Sequence, residues 1–335
     1  MNRYSRQTLF GPIGEEGQKK LRNSSVLIVG MGALGTVIAN HLTRSGIGRI
    51  RIVDRDFVEE SNLQRQSLFT EQDAIDMVPK AVAAKRILET YNSEITIEAH
   101  VSHISQDNIQ TYIEGADLVF DGTDNFSTRY IMNDSCFKNN IPFVYGGVVS
   151  SRGMTAFFNP STTSCVRCLF EEQQSSGQTC DTVGVISPIV DIIASFQVTE
   201  GLKYLTGHSY RIQSVLRTFD IWNNQTYQVN LPNKRPHCPV CMHHTYPALE
   251  KGNRDIEQSL CGRNSVQLFA PTNFDLHAME ERFKHISPTK RTPFLLKVEL
   301  NNEVTFVLFP NGRVLVQGTD DLSKARSLFD RYIGS

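Results

Sequence analysis

The first half of the chain alternates between short runs of β-branched residues and longer amphipathic stretches. The short runs predict buried strands, and the stretches between them have the apolar spacing that is typical of helices. This alternation predicts a doubly wound α/β fold with a mainly parallel sheet, in which ligands bind beyond the carboxyl ends of the strands. The predicted strands are 26–29, 50–53, 95–97, 118–120 and 143–145, and the predicted helices are 33–44, 80–91 and 127–138.

The pattern changes after about residue 150. A strand predicted over 154–158 leads into a cysteine-containing loop and a polar stretch. A long helix is predicted from Pro188 to Leu205, because proline suits the first turn of a helix and Gly207 lies beyond its end. Residues 1–245 are therefore expected to form one large domain.

A smaller module is predicted at the carboxyl end of the chain. Residues 246–262 are polar and lack periodicity, which predicts a linker. The pattern over 263–335 then predicts a small α+β module, with Pro310-Asn311-Gly312 as a hairpin turn and with no catalytic signature. Its predicted strands are 266–269, 294–298, 304–309 and 313–316, and its predicted helices are 276–285 and 322–332.

Charge and hydropathy exclude several classes of partner. The formal net charge is -1 and the pI is about 6.8, so no polybasic surface indicates nucleic acid or an anionic membrane. No apolar run approaches the roughly 18 residues of a spanning helix, and the first residues lack the apolar core of a signal peptide. We expect a cytoplasmic protein that binds neither nucleic acid nor membrane.

Three glycines mark a candidate nucleotide site. Gly30, Gly32 and Gly35 form a GxGxxG pattern between a predicted strand and a predicted helix, as in Rossmann-like folds. Glycines allow close approach of the backbone to phosphate, and a helix N-terminus favours negative charge. Asp54 ends the next predicted strand, where a carboxylate can accept hydrogen bonds from ribose hydroxyls. The pattern predicts nucleotide binding, against a merely structural turn.

Cationic and polar residues beyond the glycines favour ATP over NAD. Arginine and lysine can bind a departing pyrophosphate and stabilise its charge. Asp124, just past the strand at 118–120, could hold magnesium or cap the helix that follows. Taken singly, each of these residues also fits an ordinary role as a surface charge or a helix cap. The Walker-type GxxxxGK[ST] is absent, so the ATP site must be of another design. The cationic and polar residues are Arg6, Asn62, Arg65 and Lys80.

The seven cysteines predict a metal site. An odd number in a chain expected to be cytoplasmic argues against a disulfide framework. Cys165 with Cys168 and Cys238 with Cys241 form two CxxC pairs, and four thiolates suit tetrahedral structural zinc with no open position for catalysis. The alternative is that these four cysteines are unpaired thiols of the hydrophobic core that bind no metal. Cys136 lies in a predicted amphipathic helix and is expected in the core.

Several motifs occur together and in order, and they carry a resemblance. They are 3–7 (RYSRQ), 30–35 (GMGALG), 61–66 (SNLQRQ), 79–80 (PK), 123–125 (TDN), the two CxxC pairs, and 179–181 (TCD) ahead of Gly184. Over residues 1–245 the chain resembles the MoeB/ThiF adenylyltransferases, bacterial relatives of ubiquitin-activating enzymes. The resemblance implies ATP-dependent adenylation of the C-terminal glycine of a ubiquitin-like sulfur carrier protein that ends in Gly-Gly, with release of pyrophosphate.

The resemblance also implies a role for each polar residue of these motifs. Arg6 matches an arginine that reaches into the partner's site, which implies a homodimer. The other implied roles are ribose binding for Asp54, contact with the nucleotide for Gly32, contact with the phosphates for Asn62, Arg65 and Lys80, and ligation of magnesium for Asp124.

Two cysteines and the identity of the carrier are less constrained. Cys180 occupies a position where some family members form a covalent bond with the carrier and others do not need it; such a role requires exposure and a lowered pKa. Cys261 lacks the arginine-rich loop expected of a rhodanese, so no sulfurtransferase role is predicted. Because nothing in the sequence indicates a committed relay at Cys180, the predicted carrier is the molybdopterin synthase small subunit of molybdenum cofactor biosynthesis. The thiazole carrier of thiamine biosynthesis is the alternative.

Two other classes of function compete with adenylation. An NAD-dependent dehydrogenase would account for the glycines but would leave Arg6, Arg65 and Lys80 as coincidences. A zinc-stabilised adaptor that docks a ubiquitin-like protein without activating it would have no use for groups that stabilise pyrophosphate. Both hypotheses predict no ATP-dependent chemistry.

Overall fold

A computed structural model describes residues 3–170, 183–250, 264–300 and 303–334, together with the backbone of 258–260. The chain divides into two compact units, one formed by 1–176 and 184–251 and the other by 177–183 and 252–335. Each unit has its own sheet and its own hydrophobic core. Within the described residues, no helix is both long enough and apolar enough to cross a bilayer.

The first unit contains an eight-stranded sheet in the order β3-β2-β1-β4-β5-β6-β7-β8. Strands β1 to β5 pair in parallel, and β6, β7 and β8 continue the sheet in antiparallel pairs. The predicted doubly wound, mainly parallel sheet is therefore confirmed. Its strands are β1 (Ser25–Val29), β2 (Arg49–Asp54), β3 (Thr96–Val101), β4 (Leu118–Asp121), β5 (Phe143–Val149), β6 (Arg152–Phe158), β7 (Val215–Asp220) and β8 (Gln225–Asn230).

Helices cover this sheet, and the longest helix of the described residues is that at Ser187–Leu205. Helix α9 packs against α3 and against strands β5 and β6, and it begins one residue before Pro188. The α-helices are α1 (Ser5–Thr8), α2 (Gly14–Asn23), α3 (Ala33–Ser45), α4 (Glu71–Ile75), α5 (Lys80–Tyr91), α6 (Ile109–Ile113), α7 (Phe126–Lys138), α8 (Val166–Leu169) and α9 (Ser187–Leu205). Short 3-10 helices lie at Glu60–Asn62, Ser209–Arg211 and Pro247–Leu249.

Strand β1 lies between β2 and β4, and the order of the strands reverses there. From β1 the chain proceeds outward to β2 and β3 on one side, and β4 and β5 then follow on the other side. The loops after β1 and β4 consequently leave the sheet in opposite directions. In open α/β sheets this switch point forms the crevice in which ligands bind.

The second unit contains a six-stranded antiparallel sheet in the order β11-β12-β13-β14-β10-β9. Two helices contribute Phe283 and Phe329 to a core formed with the sheet. Residues 258–260 were predicted to be linker, but they pair with β10 as an edge strand too short to show periodicity. The elements are β9 (Gln258–Leu260), β10 (Ser265–Phe269), α10 (Leu276–Phe283), β11 (Thr289–Arg291), β12 (Leu296–Glu299), β13 (Thr305–Leu308), β14 (Arg313–Gln317) and α11 (Leu322–Tyr332).

Candidate nucleotide site and cysteine cluster

The glycine turn after β1 is in close contact with the loop after β4. Gly30 has a φ of 87°, and a Cβ there would lie 2.7 Å from the carbonyl oxygen of Gly122. A Cβ on Gly35 would overlap the carbonyl oxygen of Gly30. The amide of Gly30 donates to Val53, and that of Gly122 donates to Val29, each at 2.8 Å. A side chain at Gly30 would force the two loops apart, and one at Gly35 would clash within the glycine turn itself, so both positions require glycine.

Asp54 lies at the end of β2, beside this turn. Its carboxylate accepts hydrogen bonds from the backbone amides of Met31 at 2.6 Å and Asp56 at 2.7 Å. Burial and the neighbouring carboxylate of Asp56 raise the pKa of Asp54, and the charge of Lys80 opposes that rise. Lys80 is the first residue of α5 and is 5% exposed. A carboxylate with lone pairs left for hydroxyl donors and a buried ammonium group therefore lie at the same end of the sheet.

Asn62 and Arg65 lie on an excursion of the chain between β2 and α5. Phe57 and Pro79 form an antiparallel bridge, which closes the excursion next to Asp54 and the start of α5. The side-chain oxygen of Asn62 accepts a bond from a backbone amide at 3.1 Å, and Nη1 of Arg65 donates to a backbone carbonyl at 2.9 Å. Both of these bonds stay within the excursion, and the bridge holds the ends of the excursion at the same edge of the sheet as Asp54.

Asp124 is exposed in the loop between β4 and α7. The residue that caps α7 is Asn125, whose side-chain oxygen accepts from the amide of Thr128 at 2.9 Å. The alternative interpretation of Asp124 as the helix cap is therefore wrong. Its position beyond the carboxyl end of β4 is compatible with a magnesium ligand.

Arg6 is exposed on α1 and lies away from the glycine turn of its own chain. The hydroxyl of Tyr4 accepts from Nδ2 of Asn92 at 2.9 Å, and a Cβ on Gly46 would lie 2.5 Å from Cζ of Tyr4. Gly46 ends α3, whereas the glycine turn begins it. The 13 residues of α3 separate these ends by about 20 Å. The structure thus does not bring Arg6 to the site in its own chain.

A buried ion pair beside the site was missed by sequence reasoning. Oδ2 of Asp121 accepts from Nε of Arg129 at 2.8 Å, and the two side chains are 0% and 7% exposed. Gln197 on α9 donates to the backbone carbonyls of Asp121 and Val144 at 2.9 and 3.1 Å. One signal was available: a carboxylate that directly follows the apolar run 118–120 must be paired if it is buried.

The four cysteines of the CxxC pairs converge in the first unit. All four Sγ atoms lie within 4.8 Å of one another, and the distances are 3.5 Å for Cys165–Cys238, 3.4 Å for Cys168–Cys241 and 4.0 Å for Cys165–Cys168. Tetrahedral zinc with bonds of about 2.3 Å requires sulfur separations of about 3.8 Å. The donor set therefore fits zinc. Burial raises the pKa of Cys165 and, to about 12, that of Cys241, so zinc binding would release protons.

Helix α7 fastens this cysteine cluster to the rest of the unit. The amide of Val166 donates to Oδ1 of Asn133 at 2.9 Å. Arg167 donates from Nε and Nη2 to the two oxygens of Asp134, at 3.0 and 3.1 Å. Cys136, on the same helix, is fully buried, which confirms that it is a core residue. The covalent role considered for Cys180, and the expectation that Cys261 has no sulfurtransferase role, stay predictions, because both residues lie outside the described ranges.

Comparisons with known proteins identify the family. The sequence model of the ThiF family matches residues 4–240. The chain is 42% identical to the sulfur carrier protein ThiS adenylyltransferase of Bacillus subtilis strain 168, over 99% of both chains. It is 36% identical to the protein of the same description from Escherichia coli K12, over 71% of this chain and 94% of that one.

Solved structures show the same fold. The crystal structure of E. coli MccB with ATP has a TM-score of 0.62 and 25% sequence identity, and the match covers 72% of this chain and 74% of MccB. Fold, glycine turn and sequence all agree with the family resemblance stated above. The chain therefore belongs to the ThiF family and is an adenylyltransferase of the MoeB/ThiF type.

Proposed function

We propose that the protein uses ATP to adenylate the C-terminal glycine carboxylate of a ubiquitin-like sulfur carrier of the ThiS type, with release of pyrophosphate. The observation that carries this proposal is the match to the B. subtilis ThiS adenylyltransferase over 99% of both chains. That match extends through the second unit. The match to the E. coli relative covers 71% of this chain and does not include all of the second unit.

This choice of carrier reverses the preference drawn from the sequence. That preference for the molybdopterin carrier rested on the lack of any sign of a covalent relay at Cys180, and Cys180 lies outside the described residues. Two relatives described as ThiS adenylyltransferases support the thiazole carrier instead. The experiment below distinguishes the thiazole carrier from the molybdopterin carrier.

The arrangement around the switch point supports in-line attack on ATP. The carrier carboxylate would attack the α-phosphorus, and the bond from that phosphorus to the pyrophosphate oxygen would break. Asp54 would accept hydrogen bonds from the ribose hydroxyls and so fix the nucleotide against the glycine turn. Lys80, Arg65 and Asn62 would hold the phosphates and stabilise the charge that develops on pyrophosphate.

Asp124 would hold magnesium at the opposite side of the switch point from Asp54. Bound magnesium would neutralise phosphate charge and fix the orientation of the leaving group. The exposure of Asp124 beyond the end of β4 supports this role, since a carboxylate there can reach a ligand in the crevice. The four-cysteine cluster would hold zinc in a purely structural capacity.

We further propose that the active form is a homodimer. Tyr4 and its contacts hold α1 at the far end of α3 from the glycine turn, so a second copy would have to supply Arg6 to the site. An arginine from the partner would add a planar, permanently charged donor to the phosphates.

Exchange of radiolabelled pyrophosphate into ATP tests the function directly. The purified protein would be assayed separately with a ThiS-type and a molybdopterin-type carrier, each matched by a control that lacks the last glycine. We expect exchange with the intact ThiS-type carrier alone. Exchange with only the molybdopterin-type carrier would overturn the choice of carrier.

Other outcomes of the same experiment distinguish the competing classes. No exchange with either intact carrier would contradict adenylation. Binding of NAD without binding of ATP would support the dehydrogenase, and binding of carrier without exchange would support the adaptor.

A further inference from the structure

Arg129 is a buried cation beside the candidate site. The reaction described above gives Arg129 no role. It lies on α7 and is 6% exposed. We propose that Arg129 is a positioning residue for adenylation, which holds the loop bearing Asp124 in the geometry that magnesium and ATP require. This inference rests on the proposed function, because it assigns Arg129 a part in the same reaction.

The bonds of Arg129 converge on the residue just before Asp124. Its Nε donates to Asp121 Oδ2 at 2.8 Å, and its Nη2 donates to the carbonyl of Thr123 at 2.7 Å. The other oxygen of Asp121 accepts from the amide of Thr123 at 2.9 Å and from its hydroxyl at 2.6 Å. The ion pair thus binds both backbone polar groups of Thr123 and its side chain.

The residue on the other side of Asp124 is fixed as well. The side chain of Asn125 accepts from the amide of Thr128 and so anchors the start of α7. Asp124 therefore lies between two residues whose positions are set by hydrogen bonds, while it is itself exposed. Such pre-organisation places a carboxylate for a ligand without an ordering cost at the moment of binding.

The same guanidinium joins the loop to the neighbouring strand. Nη2 of Arg129 also donates to the carbonyl of Gly146 on β5 at 2.9 Å. Gly122, at the start of the loop, is in turn held against the glycine turn of the nucleotide site, where a Cβ would overlap Gly30. A shift of the loop would therefore disturb both the Asp124 carboxylate and the turn expected to contact phosphate.

Lysine cannot reproduce these contacts. The bonds of Arg129 leave from two nitrogens, toward Asp121 and toward the carbonyls of Thr123 and Gly146, which requires the planar guanidinium. Although burial alone would lower the pKa of Arg129, the carboxylate of Asp121 raises it, so the residue stays charged. An Arg129→Lys variant keeps the charge next to Asp121 and loses part of the hydrogen bonding that holds the loop.

A second buried ion pair provides a matched control. Arg167 pairs with Asp134 further along the same helix, and these side chains are 11% and 0% exposed. That pair fastens the cysteine cluster, and the two bonds between Arg167 and Asp134 lie outside the Asp124 loop. Arg167→Lys therefore carries a comparable loss of a buried, two-nitrogen contact without the proposed positioning effect.

The test compares R129K and R167K in the full-length protein. Pyrophosphate exchange would be measured per folded molecule across a range of magnesium concentrations, with thermal unfolding as the measure of stability. We expect R129K to lower the exchange rate about 10- to 100-fold and to raise the magnesium concentration for half-maximal rate. R167K should stay within about twofold of the wild type.

A double variant tests whether Arg129 acts through Asp124. If it does, R129K/D124N should be no slower than D124N alone, because the loop no longer presents a ligand. Fully additive losses, or an R129K variant that matches R167K per folded molecule, would overturn the proposal.

Binding of magnesium and ATP, measured by calorimetry without any carrier, separates this inference from the proposed function. A wild type that binds magnesium-ATP but exchanges with neither carrier would contradict the function alone. Unchanged magnesium-ATP affinity in R129K would overturn the role of Arg129. A wild type that binds no magnesium-ATP would overturn both.

Discussion

At the scale of single residues, the site is built from charges placed at the ends of neighbouring strands. Asp54 ends β2 and is bonded by the amides of Met31 and Asp56, and its neighbour Lys80 begins α5. Asp124 follows β4 on the other side of β1. Each of these side chains has a different electrostatic environment, and this difference leads to separate expectations for Asp54 and Asp124.

The protonation of Asp54 should govern ATP binding at acid pH. Burial raises its pKa, and a protonated carboxyl accepts fewer hydrogen bonds from ribose. We therefore expect ATP affinity to fall as pH decreases, beginning above the range in which an ordinary aspartate titrates. Asp54→Asn should bind ATP about tenfold or more weakly at pH 8, with little dependence on pH. Calorimetric titrations between pH 5 and pH 8 measure both.

The same shift has the opposite sign for stability. A raised folded-state pKa contributes stability below the unfolded pKa, and this contribution is lost as pH rises through the folded value. The difference in unfolding free energy between D54N and wild type should therefore move in favour of D54N as pH rises. Urea titrations at several pH values check this, and a difference that moves the other way would show that Asp54 is stabilised in its charged form.

Asp124 should be essential for the reaction and dispensable for the fold. The residue is exposed and does not cap α7, so Asp124→Ala removes little packing. We expect exchange to fall at least about 100-fold, while the melting temperature and zinc content stay unchanged. Asp330→Asn, which alters an exposed carboxylate of the second unit, is the control and should keep full exchange. Loss of zinc from the Asp124 variant would mean that its role has been misplaced.

At the scale of elements, strands with a buried apolar face could be predicted, and elements without one could not. The sequence predicted the core strands of the parallel sheet, and it predicted α5 with both ends correct. Strand β8 was missed because all six of its residues are exposed, so no alternation of burial marks it. Helix α2 was missed because only one of its buried residues, Leu21, has a strongly apolar side chain. The other two are Gly17 and Gln18, so no apolar spacing marks the helix. The Asp121–Arg129 pair was missed because it joins a strand end to a helix.

The cysteine cluster ties two distant chain segments together, so loss of its metal should cost stability. We expect one zinc ion per chain, and Cys168→Ser should lose it and lower the free energy of unfolding by at least about 3 kcal/mol. Elemental analysis and urea titration measure the two effects. Cys136→Ala is the matched control, because Cys136 is equally buried but lies outside the cluster. It should keep its zinc, and equal zinc content in both variants would contradict the four-thiolate site.

At the scale of the whole molecule, the sequence predicted two modules and the family but could not identify the carrier. The motifs from 30–35 to 123–125 are shared by enzymes that act on different carriers, since they bind the nucleotide that all of them use. The match to the B. subtilis ThiS adenylyltransferase depends on the full length of the chain, including residues 263–335, for which the sequence predicted no catalytic signature. Recognition of a protein substrate is spread over surfaces that short motifs do not encode.

The dimer is the largest-scale expectation, and mixing two inactive variants tests it. Arg6→Ala and Lys80→Ala should each abolish exchange as homodimers if Arg6 acts in the partner's site. In a mixed dimer, the subunit that keeps Lys80 receives Arg6 from the other subunit, so one of its two sites is intact. Random reassociation yields mixed dimers half of the time, so roughly a quarter of wild-type exchange should return.

The outcome depends on geometry that the single chain already fixes. Because Tyr4 is held at the end of α3 that lies about 20 Å from the glycine turn, an arginine acting within its own chain would need α1 to leave the contact of Tyr4 with Asn92. Mixtures that stay inactive, although native mass spectrometry shows that subunits have exchanged, would contradict action across the dimer. A protein that is active as a monomer at assay concentration would contradict the dimer itself. Recovery of exchange would assign each complete site to two chains.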